Sequence, residues 1–225
     1  MEIDYRVIYS KRKTLALLVE RDRSIVVRAP ISASREAIEQ AIEAKKLWLY
    51  EKTRHPQKYP PKPVRKEFVT GESFLYLGRY YRLEITDDST PGVRFQNRFY
   101  ISRQHQADAG RLLRDWYMAR AQEKLTPKIR AYATAMGVAY ARILVSDLRV
   151  RWASCTPKNS LNFNWRIIKA PMSVVDYLIV HELAHLLEAN HSPRFWNIVA
   201  IQAPRYQLAK EWLRENGSML EEDLP

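Results

Sequence analysis

Up to about residue 103 the apolar positions fall mostly in short runs of strand character, and from residue 107 they recur mainly at the three-and-four spacing of helices. Residues 5–9, 15–20 and 24–28 read as strands, with Lys11-Arg12-Lys13 and Asp22-Arg23 at the turns. Ile38, Ala41, Ile42, Lys45, Trp48 and Leu49 then repeat at helical spacing behind Ser34, whose hydroxyl is suited to capping a helix start, with Glu36 in the first turn. Pro56, Pro60, Pro61 and Pro63 predict an extended connector over residues 55–63. Beyond it, Gly71 and Gly78 bracket a strand over residues 73–77, and residues 79–85 and 93–102 carry the β-branched and aromatic content of two more.

Leu112, Leu113, Trp116, Tyr117, Ala121, Leu125, Ile129, Tyr132 and Met136 predict a helix over residues 107–136, broken or kinked at Pro127 and ended by Gly137. This change of period sets a boundary between a mainly β region with one helix, residues 1–103, and a second domain, residues 104–225. In the second domain Leu148, Val150 and Trp152 alternate with Arg149 and Arg151, and Leu161, Phe163, Trp165 and Ile167 alternate with Asn162, Asn164 and Arg166. That pattern predicts an antiparallel hairpin around a loop at residues 154–159, its free edge open to an extended peptide. Ser173 and Asp176 form a capping-box pair for the next helix. Ser192 with Pro193 opens a short one through Phe195, Trp196 and Val199. Pro204 starts a last helix through Tyr206, Leu208, Ala209, Trp212 and Leu213, which Gly217 ends before an acidic, frayed tail over residues 218–225. The expected fold class is α+β.

Composition narrows the class. At 225 residues and 46% hydrophobic, the chain can bury a real core. Its first residues lack a secretory apolar run, and no stretch approaches the length of a membrane span, so a cytoplasmic protein without a membrane partner is expected. A single cysteine, Cys155, allows no internal disulfide and agrees with a reducing compartment. The formal net charge of +12 favours nucleic acid, nucleotides or other anions as partners. The clusters Lys11-Arg12-Lys13, Lys45-Lys46 and Lys62-Pro63-Val64-Arg65-Lys66 are short, though, and read more simply as solvated faces or turns.

The candidate chemistry lies in residues 180–191, which hold three of the five histidines. His181-Glu182-Leu183-Ala184-His185 is an H-E-x-x-H pattern, and on a helix His181 and His185 stand one turn apart on one face, able to share one ion. Glu188 continues that face but lies about 10 Å along the axis from His181, too far to converge at a bond length of about 2 Å. His191 becomes the third ligand if the chain turns first, and Asn190, which tolerates the left-handed conformation, is expected to make that turn. Three neutral imidazoles leave a zinc ion its full charge and one open position, lowering the pKa of a bound water to about 7. Glu182, rotated about 100° from His181, is placed to take that proton as general base. A closed structural site, with Cys155 as fourth ligand, is the alternative.

The run Arg151-Trp152-Ala153-Ser154-Cys155, then Leu161-Asn162-Phe163-Asn164-Trp165-Arg166 with Pro171, then Asp176-Tyr177, the H-E-x-x-H and His191-Ser192-Pro193-Arg194-Phe195-Trp196 resembles the YgjP-like metallopeptidases. These are similar in turn to the SprT-like and WLM zinc proteases linked to repair of DNA-protein crosslinks. The resemblance covers about residues 108–215 and continues more weakly before them through Gly71, Gly78-Arg79 and Tyr81-Arg82-Leu83. Ala153 stands where the family usually has glycine. The resemblance implies a minimal zincin-like catalytic domain, a long helix and small sheet packed on the active-site helix, with His181, His185 and His191 on zinc and Glu182 as base. It assigns no role to Arg151, Ser154 or Cys155. The leading expectation is a zinc-dependent peptidase acting on a peptide or protein. A metal-dependent nucleotide pyrophosphatase or phosphohydrolase is the first alternative, and a nucleic-acid-associated protein, either a crosslink protease or a non-catalytic binding module, the second.

Overall fold

A computed structural model describes residues 3–20, 24–54, 66–148, 151–221 and 224. The chain forms two compact units, Met1–Lys62 and Pro63–Pro225. In the first, β1 (Tyr5–Ser10), β2 (Ala16–Val19) and β3 (Ile25–Pro30) make a sheet in the order β1-β3-β2, with β3 parallel to β1 and antiparallel to β2. The turn at Asp22-Arg23 and the proline-rich connector lie outside the described residues. Ser34 caps α1 (Arg35–Ala44) as its side chain predicts, accepting the Ala37 N–H at 3.2 Å. The expected single helix is divided at Lys45, whose φ of −114° ends α1 before α2 (Lys46–Arg54) begins. After this break only Leu49 of α2 is buried, joining Val27, Ala29, Ile38 and Ile42, while Trp48 of the expected apolar stripe is exposed.

The second unit begins with β4 (Ser73–Tyr76), β5 (Arg79–Thr86), β6 (Val93–Phe95) and β7 (Phe99–Ser102), ordered β4-β5-β7-β6. Residues 93–102 are thus two strands and not one, because Asn97 takes a positive φ of 58° and reverses the chain between them. A 3₁₀ turn over Arg103–Asp108 leads into α3 (Ala109–Met136), 28 residues that run unbroken through Pro127 and end at Gly137, left-handed at φ 65°. Leu113, Tyr117, Ala121, Leu125 and Ile129 recur every four residues and are fully buried, which offsets the hydrogen bond that the proline cannot donate.

The units divide near residue 62 and not at the change of period near 103, because the β4–β7 sheet shares one core with α3. Phe74, Leu75, Phe99 and Ile101 pack with Leu113, Tyr117 and Trp165, and the Tyr117 hydroxyl donates to the Leu75 carbonyl at 2.8 Å. The β4–β5 turn also reaches the segment before the metal-site helix. Leu77 and Gly78 both have positive φ, as a two-residue hairpin loop requires, and their N–H groups donate to the Ile168 and Lys169 carbonyls at 3.1 and 2.7 Å. A Cβ on Gly78 would stand 2.7 Å from Pro171 Cγ. Gly78→Ala is therefore expected to lower unfolding stability by about 2–4 kcal/mol, read as a fall in the denaturant midpoint; an unchanged midpoint would show that this turn is not held against Pro171.

An antiparallel hairpin is present but displaced: β9 (Ala153–Cys155), which overlaps the expected loop at residues 154–159 while Leu148, Arg151 and Trp152 of the expected strand are not in one, pairs with β10 (Ser160–Asn164), the central strand of three. Its other side pairs in parallel with β8 (Arg142–Ser146), which the sequence reading did not find, and β9 is an edge. Arg149 and Val150 lie outside the described residues. The expected strand alternation also stops early, for Trp165–Lys169 is a 3₁₀ turn with Trp165, Ile167, Ile168 and Lys169 all buried. Asn164 diverts the chain there: its side-chain oxygen accepts the Arg166 N–H at 3.0 Å and its amide nitrogen donates to the Leu148 carbonyl at 2.8 Å.

Next comes α4 (Met172–Ala184), apolar on nearly every side and packed against α3, β9, α5 (Pro193–Gln202) and α6 (Tyr206–Asn216). Its N-cap is Pro171 and no side chain caps it, so the Ser173–Asp176 capping box does not form. Asp176 instead pairs with Lys128 of α3 at 2.9 Å, tying the two helices together. The tail is not wholly frayed: Gly217–Glu221 forms a 3₁₀ turn, Leu220 and Leu224 are buried, and the Leu220 carbonyl accepts from the buried Lys169 ammonium at 3.4 Å. Among the described residues no helix is long and apolar enough to cross a membrane.

Candidate metal centre

His181 lies in the last turn of α4 and His185 caps its C-terminus with helical dihedrals, φ −65° and ψ −16°. The two rings therefore keep the one-turn stacking that the sequence predicts, with centroids 5.0 Å apart. The helix then tightens, as the N–H groups of Leu186 and Leu187 donate three residues back to Leu183 and Ala184. The Ser192 N–H donates to the Asn190 carbonyl at 2.8 Å, a three-residue turn centred on His191. Asn190 is not among the described residues with positive φ, so the return of His191 comes from this turn and not from a left-handed asparagine. Ser192 then accepts the Phe195 N–H at 3.3 Å and starts α5 where the sequence places it.

The outcome is convergence. The His191 ring is 5.0 Å from His181 and 4.8 Å from His185, and one nitrogen from each of the three lies within 4.8 Å of the others. Neither Glu188 nor Cys155 belongs to this group, the one such cluster among the described residues. The Nε2 atoms of His181 and His191 are 3.1 Å apart, close to the separation of about 3.3 Å that two nitrogens adopt on one tetrahedral ion at 2.0–2.1 Å. An all-imidazole donor set of this size fits zinc. Phe195, fully buried, forms a floor beneath the trio, with its centroid 4.9, 4.6 and 4.7 Å from His181, His185 and His191. Its position on α5 was legible, but nothing in the sequence marked it as touching all three rings.

Two contacts bear on the ring nitrogens. His185 Nδ1 lies 3.3 Å from the Glu188 carbonyl, an acceptor that requires the proton on Nδ1 and leaves Nε2 free to bind. Glu188, rejected as a ligand on distance, thus contributes through its backbone. His181 Nδ1 lies 3.5 Å from the Tyr177 hydroxyl. Burial pushes His181 down to about 3, helped by the like charges of His185, His191 and Lys210, so its ring is neutral at working pH and able to ligate.

Glu182, 5% exposed, lies on the helix that meets the β9 edge. Burial raises its pKa to about 7, against the opposing pull of the Cys155 backbone N–H and the Arg151 guanidinium. A carboxyl held there can accept and return a proton near neutrality. Cys155 is pushed above the ordinary thiol range by burial and by the Glu182 charge, and its Sγ faces the Thr156 carbonyl at 3.7 Å. Ser154 accepts the Asn162 amide at 3.4 Å, a contact between neighbouring strands.

Fold and site together define an α+β protein with a three-histidine cluster whose donor atoms and spacing suit a divalent metal. The chain belongs to the YgjP-like family, whose metallopeptidase domain matches residues 13–216. No curated protein matches it. Among solved structures, the crystal structure of the metallopeptidase zymogen of Pyrococcus abyssi abylysin is 16% identical, covering 44% of this chain and 97% of that one at a TM-score of 0.35, a likeness too distant to place any residue.

Proposed function

We propose that this metallopeptidase-family chain is a zinc-dependent peptidase in which His181, His185 and His191 hold the ion and Glu182 is the general base. The observation that carries the reading is the convergence of three imidazole nitrogens within 4.8 Å, on the same helix end as a buried carboxyl poised near 7. Bound there, zinc supplies Lewis-acid polarisation of a carbonyl and an acidified water. Glu182 would serve as the base for an attacking water and return the proton to the leaving amine, and its burial would keep it basic enough for the first role and acidic enough for the second. The Glu188 carbonyl holds the His185 ring in its ligating tautomer. β9 is an edge strand beside α4, and its outer side, apart from the Cys155 N–H that Glu182 engages, would be where an extended peptide pairs.

A second reading keeps the metal and takes a phosphate ester, and one observation favours it. Arg151 acts electrostatically on Glu182 and Lys210 on His181, and neither has an acidic partner among the described ion pairs. Two cations beside the site would favour an anionic substrate. Zinc-loaded protein offered a peptide library and a set of nucleoside triphosphates separates the two. Peptide cleavage that a chelator abolishes is expected; triphosphate turnover with no peptide cleaved would replace the first reading by the second.

A further inference from the structure

We infer that Tyr177 is a positioning residue for the metal centre, its hydroxyl engaging the Nδ1 edge of His181 so that Nε2 is the nitrogen turned toward the ion. This rests on the proposed role of His181 as a ligand. A neutral imidazole carries one proton, and the nitrogen that carries it cannot bind a metal. For His185 the choice is settled by a backbone carbonyl, which only accepts. Among the described residues no carbonyl takes that part for His181: its Nδ1 faces the Tyr177 hydroxyl at 3.5 Å, while its Nε2 faces the Nε2 of His191 at 3.1 Å. An Nδ1–H donated to the phenol oxygen leaves the Nε2 lone pair aimed at the centre of the cluster.

The placement follows from sequence and packing. Tyr177 stands four residues before His181 on α4, one turn below it on the same face, and the two rings meet edge to face at 5.7 Å. Tyr177 is 6% exposed and stacks on Tyr206 at 6.4 Å; Tyr206 stacks on Trp196 at 5.3 Å, and Trp196 on His191 at 5.7 Å. A ladder of four aromatic rings thus runs from the partner of His181 to His191, a second of the three proposed ligands, restraining the hydroxyl. If Tyr177 were only a core residue, removing the oxygen would change nothing, because phenylalanine keeps the whole stack.

Tyr177→Phe is therefore the discriminating variant, read by zinc competition against a chromophoric chelator and by nitrogen NMR of the metal-free imidazoles. Zinc affinity is expected to fall about 10-fold or more, with the thermal midpoint of the metal-free protein unchanged. The His181 signals should move from an Nδ1–H form toward a tautomer mixture, while those of His185, held by Glu188, stay put. Wild-type affinity with an unchanged His181 tautomer would overturn the inference. His181→Ala, measured alongside, separates the two levels: if that variant loses zinc while Tyr177→Phe binds normally, only the positioning role fails. If His181→Ala retains zinc, the ligand reading fails and this inference with it.

Discussion

Glu182→Gln is expected to lower turnover by about 10² to 10⁴ while zinc stays bound, because the amide keeps the shape of the side chain and cannot take a proton. Turnover comes from assays on zinc-loaded protein, and metal content from the same samples. Activity retained in the variant would remove Glu182 from the mechanism. The same substitution has a second signature in metal-free protein. The Glu182 carboxyl titrates near 4.5 when unfolded and near 7 when folded, so between those values the folded chain holds a proton that the unfolded chain has released. Stability contributed by this group is therefore present below about pH 4.5 and is lost as pH rises to about 7, a change of about 3 kcal/mol. Denaturant unfolding in the presence of chelator should show Glu182→Gln gaining on the wild type across that window. A pH-independent difference would mean that the buried carboxyl is not held in its neutral form.

The second large effect concerns the third ligand. His191→Ala is expected to weaken zinc binding by more than about 100-fold, beyond what loss of a residue that merely orients a ligand costs, whereas Glu188→Ala should leave it near wild type. Glu188 acts through its carbonyl, which alanine retains, and its side chain lies outside the nitrogen cluster. The reverse outcome would transfer the third position to Glu188.

The trio was legible because two of its members follow from helical periodicity alone. His181 and His185 meet whatever the rest of the chain does, and distance along the axis was enough to set Glu188 aside. The means of returning His191 was not legible. A left-handed Asn190 and a three-residue turn at His191 both satisfy the spacing, and the choice is made by the Asn190–Ser192 hydrogen bond and by packing on Phe195. The same limit explains the other differences. Arg142–Ser146 is short and takes its strand character from a parallel partner 18 residues later, a pairing that no local pattern shows. Asp176 fits a capping box by spacing, but Lys128 on a distant helix engages it. The domain boundary depends on where the apolar face of the β4–β7 sheet is buried, and a change of hydrophobic period does not reveal that. Phe195 was legible as an α5 position without a role, because its contacts with the histidines arise only once α4 and α5 are packed together, whereas Tyr177, one turn before His181 on the same helix, was within reach of periodicity but was not singled out.

A crystal structure of the zinc-loaded protein tests the central claim most directly. The account predicts one zinc bound by a nitrogen of each of His181, His185 and His191 at about 2.0–2.1 Å, with a solvent oxygen completing the sphere and no protein sulfur within it. A sphere closed by the Cys155 sulfur at about 2.3 Å, or one from which His191 is missing, would contradict it.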